Sequence, residues 1–326
     1  MKSGGVVMKL SVIKILSCLF VFLFVDLRAQ TVTDDGLYIV YSPEEMQEYK
    51  ERCKHKMRSN PSNLKDSAYQ MERALRTVSG DDADYIPKVK GAGKIFKSGN
   101  VFYQLMHNGV KVVLNSYYNT QWVTDVIYGL KGHHEPQEEK CFYEVLKYIP
   151  EHGTMIELGS YWAYYSLWFA TQVKNAKNYL IEPDSHRLEI GRKNFELNNK
   201  TGIFTRGFVG KMQDSDPDIR GAEMISIDDF IEKHNIKHVN ILHADIQGSE
   251  FDMLETTLKH LHMIDYFFIS THRYTTFHVP CVEFLKAHGF IILAEHLDAE
   301  SCSGDGLIVA KRNDVAGPES IAIRKY

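Results

Sequence analysis

The stretch Thr154 to Ser166, TMIELGSYWAYYS, limits what this chain can fold into more than any other. The apolar pair Met155 and Ile156 leads to an acid, Glu157. Gly159 and small Ser160 follow, and an aromatic-rich segment continues to about Val173. An apolar run, a glycine turn and a helix start, in that order, describe a buried strand feeding a helix. The next apolar run, Asn178 to Ile181, stops at Glu182-Pro183-Asp184. In open α/β sheets ligands lie outside the carboxyl ends of the strands. An acid about twenty to thirty residues past the first glycine turn is placed to accept hydrogen bonds from a ribose.

The pattern continues downstream. A helix is expected over Ser185 to Leu197, a strand over Gly202 to Val209, and an acid-rich loop over Lys211 to Ala222. A helix then begins at Asp228. The strand Val239 to His243 stops at Asp245, and a helix follows to about His260. Tyr266 to Ile269 is a strand ending at Ser270-Thr271-His272-Arg273, and Cys281 to His288 is helical. Strands alternating with helices predict a doubly wound, mostly parallel α/β sheet. Phe290 to Leu293 and Leu307 to Ala310 close it and lie near enough in sequence to pair antiparallel at one edge.

Ahead of this lies an accessory α+β segment, residues 31–131, with the main domain at 132–326. Gly36 to Tyr41 reads as a strand. Ser42-Pro43-Glu44-Glu45 is a helix start, with a Ser cap, Pro at the first position and Glu at the third. That helix runs to about Met57, and a second fills Ser62 to Val78. Val101 to Leu105 and Val110 to Leu114 flank Asn108-Gly109, a hairpin signal. His133-His134-Glu135-Pro136-Gln137-Glu138-Glu139 reads as a polar loop at the site mouth. It lacks the i, i+4 histidine spacing of a helical zinc motif, and a helix follows over Lys140 to Tyr148.

Residues 1–30 stand apart. Lys2, Lys9 and Lys14 precede the apolar run Ile15 to Val25, and Ala29 follows. This pattern is a secretory signal peptide, or a signal anchor if residues 10–25 stay in a membrane. The expected location is the secretory pathway or outside the cell. Cys18 leaves with a cleaved signal. Cys53, Cys141, Cys281 and Cys302 allow up to two disulfides in an exported chain, but their spacing fits no framework, and four buried thiols are the favoured reading. A net charge of −4 gives no footprint for nucleic acid.

The glycine turn separates two chemistries. A dinucleotide needs close backbone approach to its pyrophosphate and hence several glycines. Here one glycine is followed by bulky Tyr161 and Trp162. S-adenosylmethionine has no phosphate, and Glu157 can face its cationic methionine end.

The segment from about Glu135 to Ala310 resembles the FkbM family of S-adenosylmethionine-dependent methyltransferases. The resemblance rests on Glu157-Leu158-Gly159, Glu182-Pro183, Asn194 and Asn198 on the next helix, Ser226-Ile227-Asp228-Asp229, the set Asp245, Gly248 and Glu250, and His272 at a strand end. Ala163 stands where the family commonly has a second glycine, Tyr161 where Asn is common, and His243 where Lys is common. The resemblance implies a class I methyltransferase (Rossmann-like) sheet and O-methylation of a hydroxyl acceptor, often a sugar or glycoconjugate.

By position, Glu157, Gly159, Ser160 and Tyr161 would line the methionine end, and Glu182 would bind the ribose. Asp245 or His272 would serve as general base, with His243 and His278 near the substrate. A hydroxyl is a poor nucleophile, so such a base contributes about 10²–10⁴-fold. Three readings compete with this: Asp245 as a helix cap, His272 as a satisfied histidine at a strand end, and His243, Asp245 and His272 as divalent-metal ligands. No resident metal is expected. The expected partner is a small-molecule or glycan acceptor. The alternative function is an exported, non-catalytic binding module on the same fold.

Overall fold

The computed structural model describes residues 31–32, 38–59, 68–117, 121–210, 221–272 and 275–326. The signal or anchor expected at 1–30, the start of the second helix, most of the loop at 211–220, and Arg273 lie outside the described residues. Among the described residues no helix is long and apolar enough to cross a membrane.

Strands β1 (Thr31–Val32) and β2 (Tyr38–Val40) lead to helix α1 (Pro43–Ser59). Its start is a capping box: the Glu45 amide donates to Ser42 Oγ at 3.2 Å, and the Ser42 amide donates to Glu45 Oε2 at 2.9 Å. Helix α2 (Ala68–Val78) follows, and β3 (Lys88–Val89) joins β1 and β2 in a small antiparallel sheet. A second small sheet holds β4 (Ile95–Ser98), β5 (Val101–Leu105) and β6 (Lys111–Val113). The β5–β6 hairpin matches expectation, whereas β4 and helix α3 (Gln121–Gly129) were not anticipated. Helix α3 has the sequence QWVTDVIYG, rich in strand-favouring residues. Burial of Trp122, Val123, Val126 and Ile127 overrides that propensity.

Helix α4 spans Pro136–Leu146, four residues earlier than Lys140, because Pro136 occupies the first turn, where its missing N–H costs nothing. The main sheet then builds as expected. It runs through β7 (Thr154–Leu158), α5 (Tyr164–Gln172), β8 (Lys177–Ile181) and α6 (Ser185–Leu197), the last capped by the Asp184 carboxylate. The single strand expected at 202–209 is two, β9 (Ile203–Thr205) and β10 (Gly207–Phe208); β10 pairs with β11 (Glu223–Met224). Helix α7 (Ile227–Lys233) is capped by Ser226. After β12 (Val239–Ala244), helix α8 covers only Glu250–Glu255. Strand β13 (Ile264–Thr271), helix α9 (Thr275–Ala287), β14 (Phe290–His296) and β15 (Gly306–Arg312) complete the chain.

The seven strands lie in the order β14-β15-β13-β12-β7-β8-β9. All neighbours are parallel except β15, which inserts antiparallel between β13 and β14. Alternate residues face opposite sides. Met155, Ile241 and Phe268 share one core with Cys53, Ala74 and Val126 of the accessory helices. Ile156, Leu242 and Phe267 share the other with residues of α7, α8 and α9. The accessory segment therefore covers one face of the sheet as part of a common core. Cys53, Cys141, Cys281 and Cys302 are buried free thiols.

Candidate active site

Strands β7 and β12 meet at their carboxyl ends. Gly159 has φ +72°, and a Cβ there would stand 1.8 Å from the Asp245 carbonyl oxygen, so only glycine lets the two strand ends touch. The Asp245 amide donates to Leu158 O at 3.0 Å across the same junction. In the turn that follows, Tyr161 and Ala163 also have positive φ, 38° and 60°. The backbone thus keeps a conformation suited to glycine or asparagine while carrying side chains that strain it. Ala163→Gly is expected to leave the fold intact and to be neutral or stabilising by up to about 1 kcal/mol. Denaturant unfolding reads this directly, and a clear loss of stability would show that the turn is unstrained.

A cavity of about 570 Å³ opens at this junction, of the size that takes a drug-sized ligand. Glu157, Gly159, Ser160, Tyr161, Glu182, His243 and Asp245 all line it. Glu157 is buried. Its Oε2 accepts from the Ser166 amide at 3.2 Å, and burial, opposed by nearby His243, pushes its carboxyl up to about 7. A cationic ligand would relieve that cost. Glu182 is aimed by two amides, Tyr161 N at 3.1 Å and Asp184 N at 3.0 Å, and burial raises its pKa. Ser160 Oγ is buried with no hydrogen-bond partner among the described residues, a group that a ligand would satisfy. Buried acids at two adjacent strand ends, a close-approach glycine and an orphaned hydroxyl fit a ribose-bearing, cationic cofactor.

On the far side stands Asp245. Its Oδ1 accepts from Gln247 Nε2 at 2.9 Å and lies 3.3 Å from His272 Nε2. Burial raises its carboxyl to about 7, with His272 opposing. His272 does not line the cavity. It sits behind Asp245, its Nδ1 2.8 Å from buried Glu250 and its Nε2 3.5 Å from Asp305. Burial disfavours its charge, but these three carboxylates outweigh burial and raise its pKa to about 9. These carboxylates favour the imidazolium form, which cannot take a proton, whereas Gln247 Nε2, 2.8 Å from His272 Nε2, favours the neutral ring. Asp245, which lines the cavity, is the group placed to take the proton.

His243 Nε2 is 2.7 Å from Glu138 Oε1, and Ser270 Oγ donates to Glu138 Oε2 at 3.1 Å. His243 is thereby tied to helix α4, and His243, Asp245 and His272 do not gather as a metal-ligand group among the described residues. His278 does not line the cavity; its Nδ1 is 2.8 Å from Thr271 Oγ1 in the interior. Tyr164 is core, while Trp162 and Tyr165 also reach the cavity.

The segment at 133–139 departs from expectation. Instead of a polar loop it is buried, and Glu135 and Glu138 line the cavity beside Tyr117. The expected position at the site mouth holds for Glu135 and Glu138, whereas Tyr117 was not singled out from the sequence. His107, His133 and Glu139 lie close enough to suggest a metal. The two imidazoles, however, stack at 4.0 Å and 18°, so their in-plane lone pairs cannot converge on one ion.

The strand order, with an antiparallel last strand inserted beside the sixth, and the site at the ends of β7, β8 and β12 define a class I, Rossmann-like methyltransferase fold. Residues 144–292, a little under half of the chain, match the family model described as the methyltransferase FkbM domain. Comparison with curated proteins gave no match. Similar solved structures include TrmK of M. capricolum in complex with S-adenosylhomocysteine. It is 15% identical, with 54% of this chain and 69% of that chain covered and a TM-score of 0.35. A precorrin-6y C5,15-methyltransferase from Geobacter metallireducens is 12% identical, with 53% and 88% covered and a TM-score of 0.37. The METTL16 methyltransferase domain is 12% identical, with 55% and 68% covered and a TM-score of 0.38.

Proposed function

We propose that this protein transfers a methyl group from S-adenosylmethionine to a hydroxyl of a sugar or glycoconjugate. The observation that carries the reading is one cavity with two unlike ends: Glu157 and Glu182 on one side, and Asp245 with its raised carboxyl on the other. Glu182 would accept from the ribose hydroxyls, and Glu157 would face the cationic methionine end, with Gly159 and Ser160 beneath it. When bound, the cofactor supplies an electrophilic methyl group. Asp245 would take the acceptor's hydroxyl proton as the oxygen attacks, and His272 would hold Asp245 in place. Tyr117, Tyr161, Trp162 and Tyr165 give the cavity an aromatic wall, which favours a carbohydrate acceptor.

The direct test is calorimetric titration of the full chain with S-adenosylmethionine, alongside Glu182→Ala. We expect micromolar binding that falls at least about tenfold in the variant, the loss of a charge-assisted pair of hydrogen bonds. Folded protein that binds no S-adenosylmethionine would overturn the reading and leave the exported binding module in its place.

A further inference from the structure

The accessory segment reaches the chemistry through one side chain. Arg73, on helix α2, places Nη2 2.8 Å from Asp305 Oδ2, and its Nε donates to the Ser303 carbonyl. Beside it Thr77 Oγ1 donates to Cys302 O at 2.9 Å, so α2 grips the loop that leads into β15 at two points. The other carboxylate oxygen of Asp305 faces His272 Nε2 at 3.5 Å, and His272 Nε2 lies 3.3 Å from Asp245 Oδ1. Four ionisable groups from separate parts of the chain thus form an unbroken row, Arg73, Asp305, His272 and Asp245, which alternates in sign when His272 is protonated.

We propose that Arg73 and Asp305 are positioning residues whose field at the His272–Asp245 pair tunes the proton affinity of Asp245, making the accessory segment part of the acid–base machinery. The inference rests on Asp245 as the general base. The groups that face this row are Glu250 from α8, which holds His272 Nδ1, and Glu135 and Glu138 from α4, which add negative potential at Asp245. Glu135 also adds negative potential at Asp305. A packing role for Arg73 alone would not explain why its partner carboxylate turns its second oxygen to the histidine behind the base.

The two ends of the Arg73–Asp305 pair should push Asp245 in opposite directions. Without Arg73 the Asp305 carboxylate is uncompensated, the surroundings become more negative, and Asp245 is harder to ionise. Without the Asp305 charge Arg73 remains, and Asp245 is easier to ionise. The experiment is carbon-detected NMR titration of Asp245 in the full chain, with kcat/KM against pH measured in parallel. Arg73→Met is expected to raise the Asp245 midpoint, and Asp305→Asn to lower it, each by about half a unit or more. Arg73→Lys, which keeps the charge, should restore most of the wild-type value and guards against a fold defect in the methionine variant. Shifts of the same sign, or no shift in either variant, overturn the proposal. NMR midpoints that move as expected while the acid limb of kcat/KM stays fixed would uphold the coupling and overturn Asp245 as the base.

Discussion

Asp245→Asn is expected to bind S-adenosylmethionine within a few-fold of the unsubstituted protein and to transfer methyl groups about 10²–10⁴-fold more slowly. The substitution keeps size and backbone. The Asp245 amide bond to Leu158 and the close approach at Gly159 are main-chain features that asparagine preserves. What it removes is a carboxylate that can hold a proton. The pH profile carries the same argument. The base must be ionised to act, so kcat/KM should rise with pH through about 7, the value to which burial lifts the Asp245 carboxyl. It should change again near 9, where His272 loses the proton that keeps a cation against Asp245. In the asparagine variant the Asp245 part of the limb near 7 should be lost, leaving only what Glu157, also lifted to about 7, contributes. An unchanged rate with an unchanged limb would show that Asp245 is not the base. His272→Ala separates the roles: as a group behind the base it should shift the limb and lower the rate without removing proton transfer.

The parts of this fold that were readable from sequence are those where local chemistry and tertiary demand agree. The strand–turn–helix at Thr154 to Ser166, the helix starts near Ser185 and Asp228, the Asn108-Gly109 hairpin and the capping box at Ser42 are all written in short-range residue patterns. What was not readable depended on distant partners. Helix α3 is made by the core it enters. The buried run at 133–139 looks like a solvated loop because charged residues are rarely buried. Only the pairing of His133, His134 and Glu139 with one another makes their burial tolerable, and no sequence spacing announces it. Site residues followed the same division. Glu157, Gly159, Ser160, Tyr161, Glu182 and Asp245 lie on motifs at strand ends, and all reach one cavity. Tyr117 and Arg73 come from the accessory segment, which only the three-dimensional arrangement brings to the site.

Glu139→Gln is expected to destabilise the protein by about 2–3 kcal/mol, below the range of about 3–5 for an uncompensated buried charge because Glu135 stays 3.1 Å from His134 Nε2. Glu139 is fully buried, and its two oxygens serve four donors. One pairs with His133 Nδ1. The other lies 2.6 Å from His134 Nδ1 and accepts from the His134 and Glu135 amides at 2.8 and 3.3 Å, tying the chain entry to helix α4. A glutamine keeps the shape but not the charge, and its amide nitrogen cannot accept. Burial disfavours both charges, but the pair outweighs it. Glu135 and Glu139 lift His134 from 6.5 to about 10, and His133 and His134 hold Glu139 well below 4.5. The signs set the pH dependence. The raised histidine contributes fully below about 6.5 and loses its contribution as pH climbs through about 10; the depressed carboxylate contributes above about 4.5 and loses it as pH falls. The stability gap between the two proteins, measured by urea unfolding, should therefore be widest between about pH 5 and 6.5 and should narrow steadily toward pH 10. A gap under about 1 kcal/mol at pH 6, or one that widens with pH, would mean that the buried cluster is not held by this ion pair.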